Sequence, residues 1–212
     1  MKIGPVFFTA LVASSSAARG QSPGVVLPER LAPATRAAIL RLIDSARTVG
    51  LPVSPLVDKT AEGVLKGADD QRILRAVQSL TRELGDARAA LGGTTDLALL
   101  GAAANALHAG VSPDELRRLQ RASSNGGDVL ASALVTLVDL VAKRVPVSSA
   151  TTSIHDLLDR RAGERQFAAL RAEVEQDISA GLSPDAALKA RVGLQLRALD
   201  AAPLDARRPP TR

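Results

Sequence analysis

The residue with the clearest catalytic potential in this sequence is His155, which has Asp156 beside it and Asp159 one helical turn further on. A carboxylate that holds an imidazole orients a general base in many hydrolases, and Ser153 lies nearby as a candidate nucleophile. On a helix, however, residues i and i+2 do not face one another, so Ser153 cannot serve His155 within this segment. The favoured interpretation is therefore a solvated ion pair on the protein surface.

A second histidine, His108, falls in the last turn of a predicted helix, where the helix dipole favours a partly positive imidazole. Asn105 lies one turn earlier, so the two side chains could line a small polar groove; an ordinary boundary position is the alternative. The chain has only two histidines and no cysteine, which argues against a multi-histidine site and excludes thiolate metal ligands and cysteine nucleophiles. No metal and no cofactor are predicted.

Polar side chains recur along Asp128–Lys143, a segment that otherwise contains only Val, Leu and Ala. At 100° per residue these side chains fall on one narrow stripe of a helix. The stripe predicts either the wall of a ligand channel or the one part of a central helix that reaches water, with Asp139 and Lys143 paired one turn apart. The candidate binding residues of the sequence are therefore Ser132, Thr136, Asp139, Lys143, Asn105 and His108.

Two clusters of arginines are candidate sites for anionic lipid headgroups or envelope polysaccharide, with a solvated arginine-rich face as the alternative. Nucleic-acid binding is not predicted, because it would need aromatic stacking platforms and the chain has three Phe and no Trp or Tyr. No phosphate-binding loop, dinucleotide-binding motif, HExxH or GxSxG is present, so no catalytic activity is predicted. The clusters are Arg117, Arg118 and Arg121, and Arg160, Arg161 and Arg165.

The elements that would position these residues are organised around the helix predicted for Asp128–Lys143. A helix that is apolar around most of its circumference belongs in the middle of a bundle, because only surrounding helices can bury so much side chain. Leu134 and Leu137 are therefore predicted to be fully buried. A similar Ala- and Leu-rich helix, ending near Ala109, is predicted to lie next to it.

Breaks between the predicted helices are mostly 17 to 19 residues apart, which gives hairpins with a unit of about 35 residues. Gly110-Val-Ser-Pro-Asp recurs as Gly181-Leu-Ser-Pro-Asp, and Arg144-Val-Pro-Val-Ser is a degenerate copy. The period is similar to that of tetratricopeptide repeats, but the aromatic and glycine landmarks are missing. The sequence predicts an all-α fold of about eight or nine helices in antiparallel hairpins, as a bundle or a short solenoid.

Three local patterns predict details of this fold. Glu62 and Lys66 have the spacing of an ion pair on the outside of the second helix. Leu65 is predicted on the buried side of that helix. Thr94 or Thr95 is predicted to cap the Ala- and Leu-rich helix.

The first residues resemble a secretory signal, with Lys2 before an apolar core at Ile3–Ala13 and small residues at Ser14–Ala18. The alternatives are a membrane anchor and a buried N-terminal helix, but a core of about 11 residues is short for a bilayer. Loss of residues 1–20 would remove Lys2 and Arg19, leaving 25 basic against 22 acidic side chains. Cleavage is predicted after Ala17, Ala18 or Gly20.

The predicted organisation is a signal peptide at 1–20, an extended leader at 21–34, one all-α domain at 35–200 and a disordered tail at 201–212. The predicted function is that of an exported, non-enzymatic interaction or scaffold protein of the cell envelope, in the periplasm or secreted, with another envelope protein as partner. The alternative is a periplasmic bundle that binds a small apolar ligand or an anionic lipid. A concave groove would favour the first function and an internal cavity the second. An enzyme centred on either histidine would lose its basis if both were exposed and remote from any cleft.

Overall fold

A computed structural model describes residues 26–124 and 126–201, and within them the chain forms nine α-helices and no β-strand. The predicted all-α fold and helix number are therefore confirmed. The predicted signal peptide and nearly all of the predicted tail lie outside the described residues. The helices are α1 (Pro33–Thr48), α2 (Ser54–Leu65), α3 (Asp70–Ala90), α4 (Leu97–His108), α5 (Pro113–Ala122), α6 (Gly127–Ala142), α7 (Val147–Asp159), α8 (Glu164–Ser179) and α9 (Pro184–Ala201).

The helices pack in two rows. In the first row α1 contacts α3, α3 contacts α5, α5 contacts α7 and α7 contacts α9; in the second row α4 contacts α6 and α6 contacts α8. Contacts between successive helices, such as α4 with α5, α6 with α7 and α8 with α9, join the two rows. This is the arrangement of a short two-layer solenoid, in which each hairpin stacks on the one before it.

The helices α1 and α3 of the first row run parallel. At the start of α1 and α3, the backbone N–H of Ala32 donates to the Asp70 carboxylate over 2.8 Å. At the ends of the same helices, the guanidinium of Arg88 donates to the carbonyl oxygen of Val49. Ala32 and Asp70 are 38 positions apart, close to the repeat unit of about 35 residues that the spacing of the helix breaks predicts.

Successive helices α8 and α9 run in opposite directions. Near the start of α8, the carbonyl of Gln166 accepts a hydrogen bond from the Gln195 amide, whereas near its end Asp177 binds Arg191, which lies earlier in α9. The order of contacts is reversed along the two helices. This pair is therefore an antiparallel hairpin, as the sequence predicts.

The helix α6 lies at the centre of the second row, between α4 and α8, and also contacts α7. Leu134 and Leu137 are both fully buried, which confirms the central position predicted for this helix. The neighbouring helix α4 buries four of its alanines, and their short side chains permit the close approach to α6. The prediction that these two helices lie next to each other is thus confirmed.

Residues in the left-handed backbone conformation, with positive φ, follow the ends of several helices. Gly110 and Gly181 have φ values of 100° and 99°, and Arg144, which opens the degenerate copy of the same motif, has a φ of 67°. Each residue follows the last turn of a helix and reverses the chain, a conformation that glycine adopts without steric cost. The three related sequence segments therefore form related turns.

Two local predictions are wrong. Leu65 is 86% exposed, because it is the last residue of α2 and lies beyond the helices that cover the earlier turns. The cap of α4 is Asp96 and not Thr94 or Thr95; its carboxylate accepts hydrogen bonds from the N–H groups of Ala98 and Leu99.

The predicted pair of Glu62 and Lys66 is confirmed, and Lys59 also contacts the same carboxylate. Hydrogen bonds from Lys66 and Lys59 lower the pKa of Glu62 to about 2.

None of the helices in residues 26–124 and 126–201 is both long and apolar enough to cross a membrane.

Candidate functional site

The polar stripe of α6 faces α8. The hydroxyl of Thr136, a residue only 2% exposed, donates to the carbonyl oxygen of Ser132 at 2.9 Å and lies 3.4 Å from the carbonyl oxygen of Phe167 on α8. A buried hydroxyl with carbonyl acceptors on both sides is satisfied by the fold itself. Thr136 therefore belongs to a helix–helix contact, where its hydroxyl hydrogen is used within the fold and its side chain is buried.

The two charged residues of the stripe also bind α8. Asp139 accepts a hydrogen bond from Arg171 at 2.8 Å, and Lys143 forms an ion pair with Glu175 at 3.3 Å. Asp139 and Lys143 do not pair with each other as predicted, because each meets an opposite charge on the parallel neighbouring helix. The stripe forms neither a channel wall nor an isolated polar strip in water, but joins α6 to α8.

The first histidine, His155, lines an open cleft of about 220 Å³ between α5 and α7. Its Nδ1 lies 3.2 Å from the carboxylate of Asp159, so the structure forms the ion pair expected on the surface. Glu115 and Arg118 line the other side of the cleft, while Ser153 is not among its lining residues. The Glu115 carboxylate is already engaged with Ser112 in the capping box of α5.

The second histidine, His108, lies on a different cleft, and its side chain is 74% exposed. Its Nδ1 is 2.9 Å from Oε1 of Glu83 on α3, a residue 25 positions earlier. Asn105 lines the same cleft, so the structure brings together the pair that the sequence placed in one polar groove. Glu83 was missed, because nothing in the sequence shows which part of α3 faces the end of α4.

This cleft, the α2–α4 groove, has a volume of about 260 Å³ and lies between α2, α3 and α4. Its lining combines apolar residues, which we call its base, with polar residues, which we call its rim; the latter are Lys59, Ser79, Glu83, Asn105 and His108. Ser79 donates to Oε1 of Glu83 at 3.0 Å, the same oxygen that contacts His108. The lining residues are Pro55, Lys59, Ala76, Ser79, Leu80, Glu83, Leu84, Gly101, Ala104, Asn105 and His108.

Both histidines are thus surface residues, but each lines a cleft. An enzyme centred on a histidine would lose its basis if both were exposed and also remote from any cleft, and only the first of these two conditions is met. Each ring contacts a carboxylate, and within the described residues neither ring is hydrogen-bonded to a hydroxyl. The same part of the chain contains no group of three or more His, Cys, Asp or Glu side chains that could hold a metal ion.

The arginine clusters are partly neutralised by neighbouring acids. Arg117 forms an ion pair with Asp114 one turn earlier, and Arg160 binds Asp200 on α9 at 2.9 Å. Arg118 lines the cleft beside His155. The six arginines therefore do not form one uncompensated basic surface.

Several apolar side chains of α6 and α8 are at least partly exposed to solvent and form a small surface on these two helices. Val135, in the middle of α6, is 43% exposed, and Ala131 and Val138, one turn to either side of it, are apolar, whereas Asp139, also one turn away, pairs with Arg171 of α8. We call this surface the outer face. Its residues on the two helices are Ala131, Val135, Val138, Ala142, Ala168 and Ala172.

The ion pairs between Asp139 and Arg171 and between Lys143 and Glu175 border the outer face. The sequence predicted a central position for the whole helix, because a helix that is apolar around most of its circumference does not reveal which side lacks a neighbour.

The chain matches no protein-family model, and it has no significant match among curated proteins or solved structures.

Proposed function

We propose that this protein is an exported helical scaffold of the cell envelope that binds another envelope protein through the outer face of α6 and α8. The single observation that carries the proposal is the exposure of Val135 between the apolar side chains of Ala131 and Val138 on the central helix. Contiguous apolar surface bordered by charge is typical of protein–protein contacts.

The shape of the surface favours a helical partner. The helices α6 and α8 lie side by side and parallel, and the ion pairs Asp139–Arg171 and Lys143–Glu175 cross the space between them. An amphipathic helix of the partner would place its apolar stripe along the apolar side chains of α6. The two ion pairs would then lie at one edge of the interface, where they exclude unsuitable partners more than they add affinity.

Export is proposed from the sequence of the first 20 residues, in which Lys2 precedes an apolar core and small residues. We expect the protein recovered from the envelope fraction to lack residues 1–17, 1–18 or 1–20 by intact mass.

A photo-crosslinking amino acid introduced at position 135 tests the partner proposal in cells. We expect it to give one dominant crosslinked protein. The same amino acid at position 190, an exposed alanine of α9 in the first row, is expected to give none or different products. Equal crosslinking from both positions would contradict a specific outer-face contact.

Val135→Glu supplies a second test, because it introduces a charge into the outer face without touching the core. We expect loss of the crosslinked partner in a pull-down while the melting temperature stays within a few degrees of the parent. Leu65→Glu is the matched control, since Leu65 is also exposed but lies at the end of α2. Partner recovery should be unchanged in this control.

A further inference from the structure

We propose that the α2–α4 groove binds a free α-amino acid with a branched aliphatic side chain, of which leucine is the representative. The groove presents an acceptor for an ammonium group, a cation for a carboxylate group and an apolar base for the side chain. This site is separate from the outer face, and the proposal does not depend on the scaffold function.

The size of the groove fits such a ligand. Its volume is about 260 Å³. An apolar cavity of about 150 Å³ is large enough to bind benzene, which has six non-hydrogen atoms. The groove therefore has room for leucine, which is larger by only three such atoms. Ala76, Leu80 and Leu84 of α3 form the apolar base together with Ala104 of α4, and these residues would contact the aliphatic side chain.

Space for the side chain is left by Gly101. A Cβ atom at this position would meet no heavy atom within 4 Å, although the residue lies inside a helix and lines the groove. A glycine in the interior of a helix lowers helix stability, and no packing contact requires a glycine at position 101. The fold therefore does not explain the open space above it. It gives the ligand direct access to the surface of α4.

The acceptor for the ammonium group is Glu83. Its side chain is only 18% exposed, and both Ser79 and His108 use Oε1. Within the described residues, Oε2 accepts no hydrogen bond and is not buried. A partly desolvated carboxylate oxygen without a partner is a strong acceptor for an ammonium group.

The cation for the carboxylate group is Lys59. Lys59 and Lys66 both contact the carboxylate of Glu62, which lies 3.0 Å from the ammonium group of Lys59. The pKa of Glu62 is lowered to about 2, so this carboxylate is ionised. Two ammonium groups on one carboxylate leave one positive charge in excess at this rim. Asn105, whose exposed side-chain amide has no hydrogen-bond partner in the described part of the chain, lies on the same rim and can bind either end of the ligand.

Charge decides against simpler ligands. An aliphatic amine would satisfy Glu83 but would face the excess positive charge of Lys59 and Lys66, and a fatty acid would satisfy Lys59 but would place its carboxylate near Glu83. Only a ligand that carries both an ammonium group and a carboxylate group compensates the charges of both Glu83 and Lys59. The geometry therefore points to a zwitterion, and an L-amino acid is the simplest one with an apolar body.

Isothermal titration calorimetry with the purified protein tests the ligand class. We expect L-leucine to bind saturably with a Kd of about 1 mM or lower. Isoamylamine, which lacks the carboxylate, and 4-methylpentanoate, which lacks the amine, should each bind at least about tenfold more weakly. Saturable binding of either analogue as tight as that of leucine would overturn the zwitterion assignment, and the absence of leucine binding up to about 10 mM would overturn the site.

Gly101→Leu locates the binding site, because its Cβ would meet no heavy atom within 4 Å and the rest of its side chain would enter the groove. We expect loss of leucine binding at an unchanged or higher melting temperature, since leucine favours helix over glycine. Gly85→Leu is the matched control: Gly85 also lies in a helix with no heavy atom near its Cβ position, but it lines a different cleft between the end of α3 and the residues that follow α1. Unchanged binding in Gly101→Leu, or equal loss in both variants, would overturn the assignment.

Two rim substitutions assign the charged ends of the ligand. Glu83→Gln should weaken leucine binding at least about tenfold and reduce the preference for leucine over 4-methylpentanoate, and Lys59→Gln should reduce the preference over isoamylamine. A variant with merely altered folding would weaken all three ligands alike. The selective change in preference is the result that a structural role of either residue would not produce.

Discussion

The guanidinium of Arg171 on α8 lies 2.8 Å from the carboxylate of Asp139 on α6, 32 positions earlier in the chain. One turn further along both helices, Glu175 forms an ion pair with Lys143. Because the two contacts occur in the same order on both helices, α6 and α8 run parallel. Parallel neighbours separated by a complete hairpin define a solenoid, so these two ion pairs distinguish the solenoid from an up-and-down bundle of the same helices.

The contact between Asp139 and Arg171 should contribute measurably but modestly to stability. Both side chains are about two-fifths exposed, and the median worth of such pairs is low. A double-mutant cycle with Asp139→Asn and Arg171→Gln, measured by urea unfolding, should give a coupling free energy of about 0.2–1 kcal/mol. A cycle of Asp139→Asn with Arg197→Gln on α9 serves as control and should give a smaller coupling free energy, because these two side chains form no ion pair with each other. Equal coupling in both cycles would show that the contact between α6 and α8 is not specific.

The two faces of α6 should respond very differently to truncation. Leu137 is fully buried and Val135 is 43% exposed, although only two positions separate them. We expect Leu137→Ala to lower the free energy of unfolding by about 2–5 kcal/mol, through lost burial and the cavity left behind. Val135→Ala should lower it by less than about 1 kcal/mol. Similar losses for both variants in urea unfolding would contradict the orientation of the central helix.

Local patterns in the sequence predicted most of the fold because they depend on neighbours along the chain. The apolar character of Asp128–Lys143 indicated a central helix, and the recurring turns at Gly110 and Gly181 indicated the hairpin period. The cap of α4 was misplaced because Thr95 and Asp96 are both good caps and adjacent in sequence. Such errors shift a helix end but leave the architecture intact.

The candidate sites were less predictable, because their partners lie on other helices. His108 and Asn105 share a helix face and were paired correctly, but Glu83 and Lys59 join them only through the packing of α3 and α2 against α4. The composition of the polar stripe of α6 suits a ligand-binding surface and a contact between two helices equally well. Only the position of α8, with Arg171 opposite Asp139, decides between them.

Arg144 gives a prediction from the turns that end the helices. Its φ of 67° is left-handed, a conformation that is strained for residues with a Cβ, whereas Gly110 has a φ of 100° at the related turn. We expect Arg144→Gly to raise the free energy of unfolding by about 0.5–1 kcal/mol, the relief of strain being partly offset by the greater freedom of the unfolded chain. Gly110→Ala, the reciprocal change, should lower it by at least about 1 kcal/mol. Thermal unfolding in which both changes have the same sign would contradict the shared turn geometry.

The hairpin of α8 and α9 should make stability depend on pH in the acid range. A bidentate hydrogen bond from Arg191, at 2.6 Å to each carboxylate oxygen, holds the pKa of Asp177 below its usual range, and the same contact raises the pKa of Arg191. The unfolded chain, in which the carboxyl has an ordinary pKa of about 3.9, then binds more protons than the folded chain just below that pH. The stability from this contact is fully present above pH 5 or so and is lost as the pH falls through the folded pKa.

Urea unfolding between about pH 6 and pH 2 measures this loss. The midpoint for the parent should fall with acidification, and the midpoint for Asp177→Asn should start lower and fall less, because asparagine cannot titrate. Asp86→Asn is the matched control, since Asp86 is exposed and makes no ion pair within the described residues. Its acid dependence should follow the parent. If Asp177→Asn and the parent instead lost stability in parallel down to the lowest pH, the contact with Arg191 would carry no pH-dependent stability.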